Sequence, residues 1–198
     1  MDMYDEAQIV EKIRSLYAEK KYSKLKKDLN ALNAADAAAV LEQFDEGDRM
    51  VLFRLLSKEN AAETFVEFDN DTQQSLIHTF SDAELQEVFD ELYLDDTVDI
   101  IEEMPANVVR RILSNTDKET RSAINTLLRY PEDSAGSIMT TEFVHLKRDM
   151  TVEDAIKRIK RTAVDKETIY TCYVTDNFRK LLGVTTVKEL LLHKDTDV

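Results

Sequence analysis

The sequence predicts a mainly α-helical protein, in which a superhelix of short repeated helices precedes a partial α/β module. Two observations lead to this fold class. Apolar residues recur at steps of about 12 positions from residue 40 onward, and the last third of the chain alternates β-rich and amphipathic helical segments. The 198 residues are 43% hydrophobic, which is enough for one or two cores.

Two amphipathic helices are predicted before the repeat begins. In residues 7–17 the apolar side chains are spaced as on one helix face. Residues 20–29 interleave five lysines with apolar residues, which predicts a second helix with a basic outer face. Such a face is more often a solvated surface than a patch for anionic lipid or an acidic partner.

The repeat has three apolar positions per unit, at i, i+1 and i+4, which mark one face of a short helix. Thr64 is the exception to this apolar pattern. Helices of about two turns are unstable alone, so six or more of them must stack as a solenoid. The three series are Val40, Leu52, Thr64, Leu76, Val88, Ile100 and Ile112; Leu41, Phe53, Phe65, Ile77, Phe89, Ile101 and Leu113; and Phe44, Leu56, Phe68, Phe80, Leu92 and Met104.

Polar breaks between the predicted helices carry residues that can cap a helix N-terminus. Ser81 and Glu84 have the spacing of a capping box, and Asp45 with Asp48 is a variant of it. The cap candidates are Asp45, Ser57, Asp69 and Ser81. A longer helix is predicted over residues 118–129, and Pro131 ends it.

Acidic residues dominate the segment from Glu59 to Val109, which contains fifteen of them and no Lys or Arg. Like charges repel, so this segment is destabilised unless something cationic neutralises it. Asp95 and Asp99 lie four residues apart, on one helix face, and such a carboxylate pair suits a hydrated Mg²⁺ ion. From the residues alone, a solvated acidic face is the more common interpretation.

Several function classes are disfavoured by composition. The net charge of −14 argues against nucleic-acid binding, which needs a basic surface. Three glycines exclude a nucleotide-binding fingerprint, and the three histidines and single Cys172 lack the spacing of a zinc site. No catalytic constellation is found, so we expect a protein that is not an enzyme. Without a secretory signal or an apolar run of about 20 residues, the chain as given is expected to be soluble.

The pattern changes in the last third of the chain. Residues 143–146, 169–175 and 181–186 are β-rich, and residues 151–163 and 187–192 are helical, with a cap at Thr151. The order β–α–β–β–α predicts a small α/β module. The formal charge is −15 up to Gly136 and +1 after it, which suggests a domain boundary there.

The segment YPEDSAGSIMT, residues 130–140, together with the acidic solenoid before it and the α/β module after it, resembles the cytosolic part of MgtE-type magnesium transporters and channels. The resemblance covers essentially the whole chain. It implies an acidic helical domain over residues 1–130, a linker over 131–137, and the first CBS motif of an incomplete pair over 138–198. It also implies a homodimer on the cytoplasmic side of the cell membrane, in which a second CBS motif, a connecting helix and a transmembrane domain complete the protein.

In the family that this chain resembles, Mg²⁺ holds the acidic and CBS domains together and keeps the pore closed. The resemblance places Mg²⁺ ligands at Glu63, in Asn60-Ala-Ala-Glu63, and at Asp95 and Asp99, in the segment ELYLDDTVD of residues 91–99. It implies Mg²⁺ as the bound ion. Some members bind adenine nucleotide through an Arg-Asp pair, which is Lys188-Glu189 here, so nucleotide sensing is ranked last.

One alternative of a different class stays open. A helical-repeat scaffold could bind a basic protein partner through the acidic segment and have no metal role. The scaffold predicts a response to ionic strength only, whereas a Mg²⁺ sensor responds to the divalent ion itself.

Overall fold

The computed structural model describes residues 3–131 and 133–198, which divide into two compact units. One unit lies within Met1–Leu92 and Asp96–Glu132, and the other comprises Tyr93–Asp95 and Asp133–Val198. Residues 1, 2 and 132, which the sequence assigns to the first domain and the linker, lie outside the described residues. The mainly α-helical fold with a small α/β module is confirmed.

Helices make up the secondary structure from Met3 to Leu127. From α3 onward each helix begins 12 residues after the start of the previous one, so the predicted 12-residue repeat is confirmed. The helices are α1 Met3–Ala18, α2 Tyr22–Leu29, α3 Ala34–Glu42, α4 Glu46–Phe53, α5 Lys58–Val66, α6 Asn70–Thr79, α7 Asp82–Phe89, α8 Leu94–Glu103, α9 Ala106–Asn115 and α10 Lys118–Leu127.

The predicted caps are present at the starts of α4 to α7. Asp45, Ser57, Asp69 and Ser81 each accept a hydrogen bond from the backbone N–H three residues later. Ser81 and Glu84 form the complete capping box. Because a helix of two turns leaves its first N–H groups without intrahelical acceptors, these side chains define where each helix begins.

Most contacts between the repeated helices join alternate members of the series. α3 packs on α5, α5 on α7 and α7 on α9, and α4 packs on α6. Aromatic rings follow the same pattern, since the Phe65 ring lies 5.9 Å from that of Phe89, two repeats away, and Phe53 lies 5.6 Å from Phe80. The apolar face predicted from the repeat is therefore the core of this unit, with Phe65 and Ile77 fully buried.

Arginine side chains satisfy carbonyl groups where the repeated helices end. A glycine after a helix often lets the following backbone N–H groups reach these carbonyls, but the chain has only three glycines. Arg49 donates to the carbonyls of Leu41, Glu42 and Phe44 at 3.1–3.3 Å, around the end of α3. Arg111 donates to the carbonyls of Ile77 and Phe80, around the end of α6.

The second unit has the predicted β–α–β–β–α order. The strands lie in the order β1–β2–β3, with β1 parallel to β2 and β2 antiparallel to β3. Val144, Leu146, Ile159, Cys172 and Leu190 form its core. Its elements are β1 Phe143–Lys147, α11 Val152–Thr162, a 3₁₀ turn Ala163–Asp165, β2 Thr168–Thr175, β3 Leu181–Thr186 and α12 Val187–Leu192.

Among the helices of the described residues, none has both the length and the apolar character that crossing a bilayer requires.

Candidate functional site

Bases from outside the acidic segment neutralise part of it. Arg54 Nε lies 2.7 Å from a carboxylate oxygen of Glu84, and Lys58 Nζ lies 3.0 Å from one of Glu87. Arg111 Nη2 lies 2.9 Å from Asp82 Oδ1. The sequence predicts destabilisation of this segment unless something cationic neutralises it. Flanking bases do so for these acids, because the folded chain brings residues 29–30 positions apart in sequence together.

α8 carries the acidic pair that the sequence singles out. Asp95 is half-buried in the first turn, and Asp99 is exposed four residues later on the same face. Partial burial of its carboxyl group and the charge of Glu103 raise the pKa of Asp99. A raised carboxyl pKa means that the ionised form is disfavoured where it stands, so a cation bound beside Asp99 relieves an existing electrostatic cost.

Glu103 is a residue that the sequence analysis did not include among the candidates. The Asn70 side chain of α6 donates a hydrogen bond to the Glu103 carboxylate, which fixes this carboxylate on α8. Glu103 follows Asp99 by four residues, the same spacing that separates Asp99 from Asp95. This regular spacing was the signal in the sequence that could have identified it.

Glu63 lies on α5, on a different helix from the α8 pair, and its side chain is exposed. Among the residues that the structure describes, no three His, Cys, Asp or Glu side chains are close enough to hold a metal ion together. The structure therefore does not gather Glu63, Asp95 and Asp99 into one cluster. Their assignment as Mg²⁺ ligands stays a prediction.

The carboxylates of α8 fit the chemistry of Mg²⁺. This ion prefers oxygen ligands, keeps several waters, and is bound in proteins by one or two carboxylates. Asp95 and Asp99 supply such a pair on one helix face. A hydrated ion held by this pair needs no third protein ligand from the same helix.

Glu189, which the resemblance aligns with part of a nucleotide-binding pair, has a structural role here. Glu189 accepts hydrogen bonds from the Thr186 backbone N–H and hydroxyl, at 2.8 and 3.2 Å, in the capping box of α12. These bonds to Thr186 lower the pKa of Glu189. The spacing of Thr186 and Glu189, which matches a capping box, was the signal in the sequence for this role.

Comparison with known families matches two domain models to the chain. The MgtE intracellular N domain matches residues 32–133, which is more than half of the chain, and the CBS domain matches residues 135–194.

Curated relatives cover the same region. The magnesium transporter MgtE of Thermus thermophilus is 31% identical over 172 residues, which are 85% of this chain and 38% of that protein. The magnesium transporter MgtE of Bacillus subtilis is 25% identical over 189 residues, which are 96% of this chain and 42% of that protein. The chain thus spans about two fifths of the length of these relatives.

Two solved structures are similar to this chain along nearly its whole length. The cytosolic domain of the Mg²⁺ channel MgtE in complex with ATP aligns with a TM-score of 0.88 and 30% identity, covering 95% of this chain and 77% of that one. The soluble part of a magnesium transporter aligns with a TM-score of 0.86 and 26% identity, covering 96% of this chain and 75% of that one.

Proposed function

Because the chain belongs to the MgtE family, as a cytosolic part of it, we propose that it is the Mg²⁺-sensing regulatory region of a magnesium transporter or channel. Bound Mg²⁺ bridges the acidic and CBS domains and favours the closed pore. At low Mg²⁺ the acidic residues repel the rest of the cytosolic assembly, and the pore opens. Such a shift requires that Mg²⁺ bind the closed form more tightly than the open form.

The observation that carries this proposal is the electrostatic state of α8. Partial desolvation of its carboxyl group and the charge of the neighbouring Glu103 raise the pKa of Asp99, while Asp95 lies on the same helix face. A divalent cation lowers the energy of such a group of carboxylates more than a monovalent one does at the same ionic strength. We propose Asp95, Asp99 and Glu63 as Mg²⁺ ligands, with the remaining ligands supplied by the second CBS motif and the connecting helix.

The proposed organisation is an acidic domain over residues 1–130, a linker over 131–137 and a first CBS motif over 138–198, with hinge motion around Tyr130 to Met139. The partners are the second CBS motif, the connecting helix and the transmembrane domain, within a homodimer. Exposed apolar side chains on β3 support a partner for the CBS motif, since Leu181, Leu182 and Val184 are 55%, 48% and 59% exposed. Such a patch is typical of a surface that another protein segment covers.

The first test is thermal unfolding of this chain across a Mg²⁺ titration, with ionic strength held constant by NaCl. We expect the melting temperature to rise at low millimolar Mg²⁺, because a ligand that binds only the folded state stabilises it. The rise should be lost in the Asp95→Asn/Asp99→Asn double variant. It should persist in Glu67→Gln/Asp71→Asn, which removes the same charge from exposed positions of the same segment.

The same titration on a longer chain that includes the second CBS motif and connecting helix completes the test. If Mg²⁺ and NaCl have equal effects at matched ionic strength on both chains, the Mg²⁺-sensing proposal is wrong. That result would favour the scaffold that binds a basic protein partner.

A further inference from the structure

His145 is surrounded by positive charge on the strand β1, at the edge of the sheet. Val144 and Leu146 are buried in the core, and His145 is half-buried between them. The Nη2 atom of Arg158, on α11, lies 2.8 Å from His145 Nε2. A guanidinium group can only donate, so Nε2 accepts, and the imidazole ring is neutral with its proton on Nδ1.

The partner of Arg158 is unusual because it is uncharged. A half-buried arginine is normally met by a carboxylate or a phosphate, which compensates its charge. The charged groups that act most strongly on the His145 ring are all cations, namely Arg158, Arg179, Lys147 and Lys166. Burial, followed by these cations, lowers the pKa of His145. Four cations therefore act on this half-buried ring, and the group that meets Arg158 is neutral.

A groove of about 560 Å³ opens beside this cluster, between the end of β1 and α11. Asp154 accepts from the Thr151 hydroxyl at 3.0 Å, and Lys157 pairs with Glu153 at 2.7 Å. Lys147 and Arg158 have uncharged partners, since Lys147 Nζ donates to the Asp176 carbonyl at 3.1 Å and Arg158 donates to His145. Arg161, Asp149 and Met150 also line the groove.

We propose that this groove binds an oxyanion of the phosphate class, which Arg158 holds with Lys147 and Arg161. A phosphoryl group offers several acceptor oxygens in the geometry that the guanidinium fork matches, whereas the neutral imidazole offers a single acceptor nitrogen. A bound oxyanion also stabilises the imidazolium form of His145, because its negative charge offsets the cations around the ring. The site uses β1 and α11, and it is separate from Lys188-Glu189 at the start of α12.

Free inorganic phosphate and the phosphoryl groups of a nucleotide present the same chemistry to this groove. Adenosine carries the base and sugar without a phosphoryl group, so it is the matched negative probe. The inference is independent of the Mg²⁺ proposal, because its residues lie in the CBS motif and bind an anion.

The test is proton NMR of the His145 imidazole in titrations of pH, with chloride, inorganic phosphate, ATP or adenosine at one ionic strength and no Mg²⁺. We expect phosphate and ATP to raise the pKa of His145, and chloride and adenosine to leave it unchanged. The resonances of His78 and His193 report any general effect of the added salt. A preference for ATP over phosphate of more than about tenfold would identify the nucleotide as the source.

Two variants make the test specific. Arg158→Gln should weaken phosphate binding by about tenfold or more, because a charge-assisted hydrogen-bonding group is lost. Lys160→Gln removes the same charge from an exposed position of α11 and should bind phosphate as the parent chain does. The readout is the change in pKa that the anion causes, since Arg158→Gln by itself alters the pKa of His145. An equal change in Arg158→Gln, or an equal effect of adenosine and ATP, would overturn the proposal.

Discussion

The Glu84 carboxylate joins two parts of the repeat. One oxygen accepts from Arg54 Nε at 2.7 Å, and the other accepts from the Ser81 backbone N–H at 2.8 Å, at the start of α7. The hydrogen bond from Arg54, together with those from Ser81, outweighs burial and lowers the pKa of Glu84 to about 2. All of these bonds favour the ionised form, so they are strongest while Glu84 is charged.

This lowered pKa predicts a specific dependence of stability on pH. The folded-state pKa of Glu84 is below its unfolded value of about 4.5, so its contribution is complete above pH 4.5 and is lost as the pH falls toward 2. Glu84→Gln should lower the free energy of unfolding by ~1–2 kcal/mol at pH 7, allowing for its partial exposure. The difference in the free energy of unfolding between Glu84→Gln and the parent should shrink as the pH falls from 4.5 to 2.5, as measured by urea denaturation.

Glu87→Gln is the matched control for Glu84. Its ion pair with Lys58 is largely exposed on both sides, so we expect a loss of less than ~0.5 kcal/mol. Equal losses in the two variants, or a difference for Glu84→Gln that does not change with pH, would contradict this account.

At the scale of one helix, Thr64 departs from the repeat. The other members of its series are Val, Leu or Ile, whereas Thr64 is fully buried on α5 with a hydroxyl that has no hydrogen-bond partner in the described structure. A buried hydroxyl without a partner loses its hydration and gains nothing in return. The threonine at this position therefore destabilises the folded chain.

Thr64→Val should raise the free energy of unfolding by ~1 kcal/mol, because valine has nearly the same shape and no hydroxyl to bury. Urea denaturation at neutral pH measures the change. Thr72→Val is the control, and it should lower the free energy of unfolding. The Thr72 hydroxyl accepts from Arg49 Nη1 at 3.1 Å, and the variant loses that bond. A Thr64→Val variant that is less stable than the parent would show that the hydroxyl is satisfied after all.

Local features of the elements were predictable from sequence, and the contacts between elements were not. The caps at Asp45 and Ser81 follow from spacing within four residues, so their positions could be predicted. The pairing of Arg54 with Glu84 depends on which helix stacks on which, and the repeat alone is compatible with stacking of neighbours or of alternates. The role of Glu103 beside Asp99 was visible as a spacing, but its support by Asn70 of α6 requires the tertiary packing.

At the scale of the whole molecule, the charge of −14 opposes the compact state. Ion pairs such as Arg54 with Glu84 compensate only part of it. Raising NaCl from about 50 to about 500 mM, which shortens the screening length severalfold, should therefore raise the melting temperature. Thermal unfolding by circular dichroism measures this dependence, which is also the baseline for the Mg²⁺ titration.

A variant with fewer acidic residues tests whether self-repulsion causes this dependence on NaCl. Glu59→Gln, Glu67→Gln and Asp71→Asn together remove three exposed charges, and the melting temperature of this triple variant should depend less steeply on NaCl. A parent chain whose melting temperature is flat or falls with NaCl would show that self-repulsion is not a significant cost in this fold.

The packing of every second helix limits which insertions and deletions in the gene this domain can tolerate. Each unit is 12 codons long, and every second unit, from α3 through α5 and α7 to α9, packs in one stack. Duplication or loss of one unit would move the later helices into or out of this stack, where their contact residues no longer match. Duplication or loss of two adjacent units leaves this stack in order, so evolution or engineering can lengthen or shorten the superhelix in steps of a helix pair.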